Sequence, residues 1–345
     1  MQFNDLDRRN QFSPRARAAA QAIRGYYRPD GSASPRPIAP RGSLELAPSF
    51  FIVGAPRCGT TSLSKALKSH PRISFSKPKE THFFLLADPD LSESEQRERY
   101  LSQHHPFLDA EHRAIGDGSV SYLYSPEAIR RALRFDPRAK FLVMVRSPLE
   151  MVPSYHARMV YDLQEDRVDL AQAWALQSNR AAGRDIPRGC LDARVLQYGE
   201  IGRLGAQVER LFEVAGRERC MVVVFEDFVR APRETYAQVL KFIGVEDDGQ
   251  KNFKAKAQHR DFKSRWLQQF VMNPPPWALR LIHLSDAAMI KRLKQWRRRL
   301  EEINTFRDQR PQLSNEMRAT LRAYYADDVR RLSELLSRDL SHWLA

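Results

Sequence analysis

The chain has 345 residues, long enough for one large α/β domain or two modest ones with a sizeable buried core. Its 42% hydrophobic and 28% charged residues are the mix of a soluble globular protein, and no apolar run approaches the roughly 18 residues that span a bilayer. Lys plus Arg at 56 against Asp plus Glu at 42 leaves +14, which favours acidic ligands, polyanions or anionic membrane surfaces, while three scattered cysteines exclude a disulfide framework and a cysteine-built zinc site.

In chain order, residues 1–47 form a basic leader rich in Pro, Ser and Arg, expected to be partly disordered. It has no apolar core of signal-peptide length, so a cytoplasmic, reducing location is expected. Residues 50–62, FFIVGAPRCGTTS, read as a buried strand, a loop framed by Gly54 and Gly59, and a helix start. Such a loop offers backbone N–H groups and a helix N-terminus to an anion. The glycine spacing is that of a nucleotide-binding P-loop, yet Thr60 stands where an NTPase needs its lysine, and the one basic side chain inside the loop is Arg57.

Ser62–Ser69 reads as a helix ended by His70-Pro71, and ISFSKPKETHFF as a short strand or extended loop. Residues 92–104 are charged and helical; IGDGSVSYLYSP is a loop leading to a helix with Pro126 in its first turn. KFLVMV is a second buried strand, ending in Arg146, with a long helix from Leu149. CMVVVFEDF is a third, carrying Glu226 and Asp227 at its end, and PRETYAQVLKFIGV an amphipathic helix stopped by Gly244. The part from about 276 to 345 is helix-rich and very basic, notably IKRLKQWRRRL, either a solvated helix face or a surface for a polyanion or an anionic membrane. Strands separated by helices of a dozen or more residues imply parallel pairing in a doubly wound, three-layer α/β domain, with ligands beyond the C-terminal strand ends. Arg57 and Arg146 both fall there. Ser154, eight residues after Arg146, completes a second oxyanion clamp, the alternative for each being an ion pair and a nearby capping serine.

Taken in order, GAPRCGTTSL with His70-Pro71 after its helix, KETHFF, and VRSP with Ser154 downstream resemble sulfotransferases that use 3'-phosphoadenosine 5'-phosphosulfate (PAPS), in pattern the heparan-sulfate type and its bacterial relatives. The likeness runs from about Phe50 to about Phe253, with an echo in the closing DLSHWL. It implies a P-loop NTPase-like sulfotransferase fold in a single domain over residues 48–345, with PAPS as co-substrate, adenosine 3',5'-bisphosphate as product and no metal. It implies that Arg57, Cys58, Gly59, Thr60, Thr61 and Ser62 grip the 5' phosphosulfate and that Arg146 and Ser154 grip the 3' phosphate. Lys263 and Arg265, in the basic loop 258–266, are further candidates for the 3' phosphate.

Sulfuryl transfer needs an acceptor made nucleophilic in line with the departing phosphate oxygen. The resemblance puts the base at Glu80; His82, two residues on, faces the same side of an extended segment and there orients Glu80 or the acceptor; His82 or His156 acting as a histidine base is the rival assignment, and a solvated strip of Lys77, Lys79 and Glu80 the bland one. Arg57 replaces a heparan-type lysine, so it neutralises charge but donates no proton. Gly118 stands where those enzymes have another lysine, removing one expected cation. The implied acceptor is a small molecule, glycan or glycolipid with a hydroxyl or amine. A nucleotide kinase or NTPase with a degenerate loop is the alternative, and no motif supports a nucleic-acid partner.

Overall fold

The computed structural model describes residues 49–86, 91–190, 192–253, 261–272, 287–306 and 313–345, so the expected leader over 1–47 lies outside the described residues. The chain divides into two compact units, one drawn from residues 49–151, 202–253 and 319–345, the other from 152–201 and the described parts of 258–318.

The first unit is built on a five-stranded parallel sheet in the order β2-β3-β1-β4-β5. Strand β1 (Ser49–Gly54) is buried at every position and β4 (Lys140–Val145) at all but its first, because helices cover both faces of a parallel sheet and its strands read as continuous apolar runs. Phe51 of β1 pairs with Phe141 of β4, their rings stacked at 5.8 Å. The remaining strands are β2 (Ile73–Phe75), β3 (Ala114–Asp117) and β5 (Cys220–Val224). The chain leaves β1 toward β2 and β3, on one side, and leaves β4 toward β5, on the other. The switch point of the fold is therefore the crevice beyond the ends of β1 and β4.

Two expectations are corrected here. Residues 114–117 form a central strand, not part of a loop; four residues that include Gly116 and Asp117 carry too little apolar periodicity to declare themselves. The third buried strand stops at Val224, and Glu226 and Asp227 lie in the first turn of a helix, Phe225–Arg230, where acidic side chains complement the helix N-terminus.

Helix α1 (Thr60–Ser69) begins two residues earlier than expected and ends at His70, α2 is Glu93–His104, and α3 (Pro126–Phe135) starts with proline behind a Ser125 hydroxyl cap. After β4 comes α4 (Pro148–Tyr161). Helix α5 (Leu204–Ala215) packs on β4, β5 and α3, and its first turn donates Gly205 and Ala206 N–H to the Asp328 carboxylate at 2.8 and 2.9 Å. The C-terminal residues close on the same strand ends: Ser147 Oγ donates to the Trp343 carbonyl at 3.0 Å, and Arg338 pairs with Asp227. These bonds give the DLSHWL segment its place in the fold.

The second unit buries an Arg180–Glu165 pair, bonded at 2.6 and 2.7 Å with both side chains fully shielded and Tyr198 donating to Glu165 at 2.7 Å. It also contains a short ladder of Asp261–Phe262 against Thr305–Phe306 and the packed helices Arg265–Met272 and Ala287–Asn304. Among the described residues no helix is long and apolar enough to cross a membrane.

Candidate anion-binding and transfer site

The loop after β1 keeps close to the sheet, Ala55 N–H donating to Met144 O of β4 at 2.8 Å. Left-handed backbone at Arg57 (φ 63°) and Gly59 (φ 91°) gives the alternating hand that gathers N–H groups into an anion-binding concavity. Gly59 is also the N-cap of α1 and makes no side-chain cap; Ser62 N–H turns back to Gly59 O at 2.9 Å, which leaves the Thr60 and Thr61 N–H groups as the first-turn donors suited to an anion. Only glycine fits: a Cβ there would fall 2.9 Å from Phe225 Cδ2 and 3.3 Å from Met144 Cε. Cys58 is completely buried, and loss of hydration pushes its thiol up despite the opposing pull of Arg146 and Arg57. Its contribution to the loop is therefore backbone, not a reactive sulfur. Thr60 is buried, Ser62 half-buried and Thr61 exposed.

Arg146 follows β4 directly, only 5% exposed, with its guanidinium 4.6 Å from the centre of the Phe225 ring and paired to Glu150 one helical turn on. A buried, always-charged fork at a strand end is suited to bidentate recognition of phosphate. Phe225 thus touches both halves of the site, closing against Gly59 and lying under Arg146.

The KETH segment is not extended at its end, since His82 takes φ 51°. The extended backbone that would turn His82 to the side of Glu80 is therefore not what the chain adopts here. The two side chains still meet, His82 Nε2 lying 3.8 Å from Glu80 Oε2, because other bonds fix the segment. Ser119 Oγ accepts from His82 N–H at 3.0 Å and Ser121 Oγ sits 2.7 Å from His82 Nδ1. Beneath them Asp117, at the end of β3, is fully buried and accepts hydroxyls from Thr81 at 2.6 Å, Ser119 at 2.7 Å, Tyr100 at 3.2 Å and Tyr122 at 3.3 Å. Burial raises its carboxyl above the ordinary value against the lowering effect of the Thr81 and Ser119 bonds. Asp117 was not among the residues picked out from sequence, and its signal was an acid inside an otherwise apolar AIGD.

Lys79 crosses from this segment to the loop. Its Nζ lies 3.0 Å from Glu80 Oε1 and 3.3 Å from Thr60 Oγ1, at the first residue of α1. A solvated strip does not describe Lys79, whose side chain is 22% exposed.

Within the first unit the fold therefore brings Arg57, Cys58, Gly59, Thr60, Glu80, His82 and Arg146 to one end of the sheet. Ser154 stands half-buried on α4, in the part of that helix belonging to the second unit. Lys263 and Arg265 also belong to the second unit; Lys263 is exposed, with its N–H bonded to Asn304 O at 2.7 Å, and Arg265 opens the helix Arg265–Met272. His156 is buried with Nε2 2.9 Å from Arg167 O and its ring edge-on to Tyr198, and burial holds its basicity below the usual imidazole value. Glu226 is exposed while Asp227 is engaged by Arg338 and Arg230, so the arginine pairing accounts for Asp227.

A parallel sheet whose first strand ends in a glycine-framed cradle, with a buried arginine on the neighbouring strand end, defines an α/β protein whose switch point has the chemistry to receive an anionic group. This chain belongs to the sulfotransferase family: residues 47–333 match the sulfotransferase domain. A crystal structure of a sulfotransferase from Alicyclobacillus acidocaldarius is similar, with a TM-score of 0.60 and 26% identity, covering 87% of this chain and all (100%) of that one. Carbohydrate sulfotransferase 15 of Rattus norvegicus is 24% identical over 251 residues, 59% of this chain and 44% of the relative. The membrane-associated sulfotransferase kil1 of Dictyostelium discoideum is 26% identical over 117 residues, 33% of this chain and 24% of the relative. The chain thus spans less than half the length of these curated relatives. The three-layer, doubly wound P-loop-like fold expected from the sequence is the fold found.

Proposed function

We propose that the protein moves a sulfuryl group from PAPS to a hydroxyl or amine of a carbohydrate or glycolipid acceptor, releasing adenosine 3',5'-bisphosphate. The observation that carries this reading is the tie between Glu80 and the cradle. One ammonium, Lys79, bonds both Glu80 and the first residue of α1, which sets a carboxylate beside the place where an anion would rest. In this reading the backbone from Arg57 to Ser62 receives the 5' phosphosulfate and Arg146 the 3' phosphate, with Ser154 as its second ligand. Lys263 and Arg265 stay candidates for the same phosphate. Glu80 takes the acceptor proton as the acceptor oxygen or nitrogen attacks sulfur, and His82, braced by Ser121, orients the carboxylate. Asp117 acts one layer further down by fixing Thr81 and Ser119. A glycan acceptor is suggested by the carbohydrate sulfotransferase relative.

A kinase or NTPase reading has less to stand on, because Thr60 replaces the lysine that would reach the outer phosphates and Asp227 is engaged by two arginines. The test is transfer of labelled sulfate from PAPS to a panel of glycans, glycolipids and small hydroxylated compounds. Wild-type protein is expected to label at least one, and Glu80→Gln to lower the rate about 100-fold or more. Full transfer by Glu80→Gln would remove the base assignment; ATP-dependent phosphorylation without sulfate transfer would remove the reaction class.

A further inference from the structure

The loop lacks the lysine that a P-loop uses to meet the outer anionic group of its ligand, and Arg57 does not occupy that position. The fold carries an ammonium to nearly the same place by another route. Lys79 starts nineteen residues away, yet its Nζ is 3.3 Å from Thr60 Oγ1, the side chain of the residue standing where the lysine is missing. Its path runs over Gly118. A Cβ on Gly118 would fall 2.9 Å from Lys79 Cγ, 3.0 Å from Lys79 Cε and 3.2 Å from Ser64 Oγ, so the bare Cα is the groove in which the methylenes lie. Gly118 N–H also donates to Lys79 O at 3.0 Å, and Ser76 Oγ donates to the same carbonyl at 3.1 Å, fixing the backbone from which the side chain departs.

We propose that Lys79 is the donor-binding cation of this cradle, contacting the 5' phosphosulfate of PAPS, and that Gly118 exists to let it through. This rests on the reading given under Proposed function. In the transfer step the bond between sulfur and the bridging phosphate oxygen breaks, that oxygen keeping the electron pair. A new bond forms between sulfur and the acceptor atom, whose proton passes to Glu80. Negative charge grows on the leaving phosphate oxygen, and a partly shielded ammonium directed at the start of α1 stabilises it through a charge-assisted hydrogen bond. The same ammonium touches Glu80 at 3.0 Å. Donor binding would draw it from the carboxylate, opening Glu80 Oε1 to the acceptor.

Three ligands and three proteins separate this inference from its parent. Adenosine 3',5'-bisphosphate, adenosine 3'-monophosphate and ATP are titrated calorimetrically into wild type, Lys79→Gln and Lys79→Arg, with thermal unfolding as the check on folding and labelled-sulfate transfer as the rate. Lys79→Gln is expected to weaken the bisphosphate about tenfold or more, the loss of one charge-assisted bond, and to leave the 3'-monophosphate unchanged. Transfer should fall further than affinity, and Lys79→Arg, which keeps a cation in the same groove, should retain much of both. A Lys79→Gln protein with bisphosphate affinity and transfer within threefold of wild type overturns the inference alone. Equal weakening of both adenosine ligands also overturns it, since Lys79 would then act through the fold. Wild type that ignores the bisphosphate and binds ATP removes the parent reading instead.

Discussion

Gly59→Ala tests how the cradle is built. Residue 59 sits at φ 91°, where an alanine costs about 1–2 kcal/mol through contact of its Cβ with the following carbonyl. The new methyl would also lie 2.9 and 3.0 Å from two atoms of the Phe225 ring and 3.3 Å from Met144 Cε, so packed neighbours on β4 and after β5 must give. Overpacking of this kind costs about 1–3 kcal/mol, and the sum is about 2–5 kcal/mol. Gly244 supplies the control: it has φ 81°, caps the helix Pro232–Ile243, and has nothing within 4 Å of an added Cβ, so Gly244→Ala carries backbone strain alone. Urea unfolding of the two variants measures the difference, expected at about 1–3 kcal/mol. Because Phe225 lies under Arg146, a displaced ring also moves the guanidinium, and Gly59→Ala should lose bisphosphate affinity while Gly244→Ala keeps it. Equal stability of the two variants, or undiminished affinity in Gly59→Ala, would refute the packing argument.

The other predictions concern buried ionisable groups. His105 is buried beside Ser74, and loss of hydration holds its imidazole at about 3 against 6.5 for the ordinary side chain, the neighbouring His104 and His112 adding to the effect. The unfolded chain binds a proton between those values that the folded chain refuses, so stability falls as pH drops through 6.5 toward 3. At pH 5 the loss is about 2 kcal/mol. Unfolding at pH 7 and pH 5 should show His105→Gln less acid-sensitive than wild type by about that amount, and parallel pH dependence would contradict it. Arg180→Leu strands the Glu165 carboxylate in a fully shielded site and should cost the second unit about 3–5 kcal/mol. The double variant Arg180→Leu/Glu165→Leu should recover much of that loss, and additive losses in a double-mutant cycle would argue against a coupled pair.

The sequence exposed those parts of the site in which local pattern and tertiary burial agree. Strands β1 and β4 announce themselves because both faces are covered, and Arg57 and Arg146 are legible because each stands at the end or edge of such a run. Strand β3 stayed hidden because it is four residues long and ends in an acid, which only makes sense once hydroxyls from residues 81, 100, 119 and 122 are seen to converge on it. Helix α1 starts two residues before its sequence pattern suggests because its cap is a left-handed glycine with no side-chain signal. Glu80 and His82 come together through the Ser119 and Ser121 bonds, not through the extended chain that motivated the pairing. Lys79 carries no spacing that points at Thr60; its reach depends on Gly118, which reads from sequence as a missing cation and in the structure as room for one.

Under the proposed function the loop after β1 holds a phosphosulfate and not a nucleoside triphosphate, and Arg146 grips a separate phosphate. Calorimetric titration with adenosine 3',5'-bisphosphate beside ATP, on wild type and Arg146→Ala, tests it most directly. Micromolar binding of the bisphosphate, weaker binding of ATP, and loss of bisphosphate binding in a folded Arg146→Ala protein are the expected results. ATP binding equal to or tighter than the bisphosphate, or an Arg146→Ala protein that binds the bisphosphate as wild type does, would contradict it.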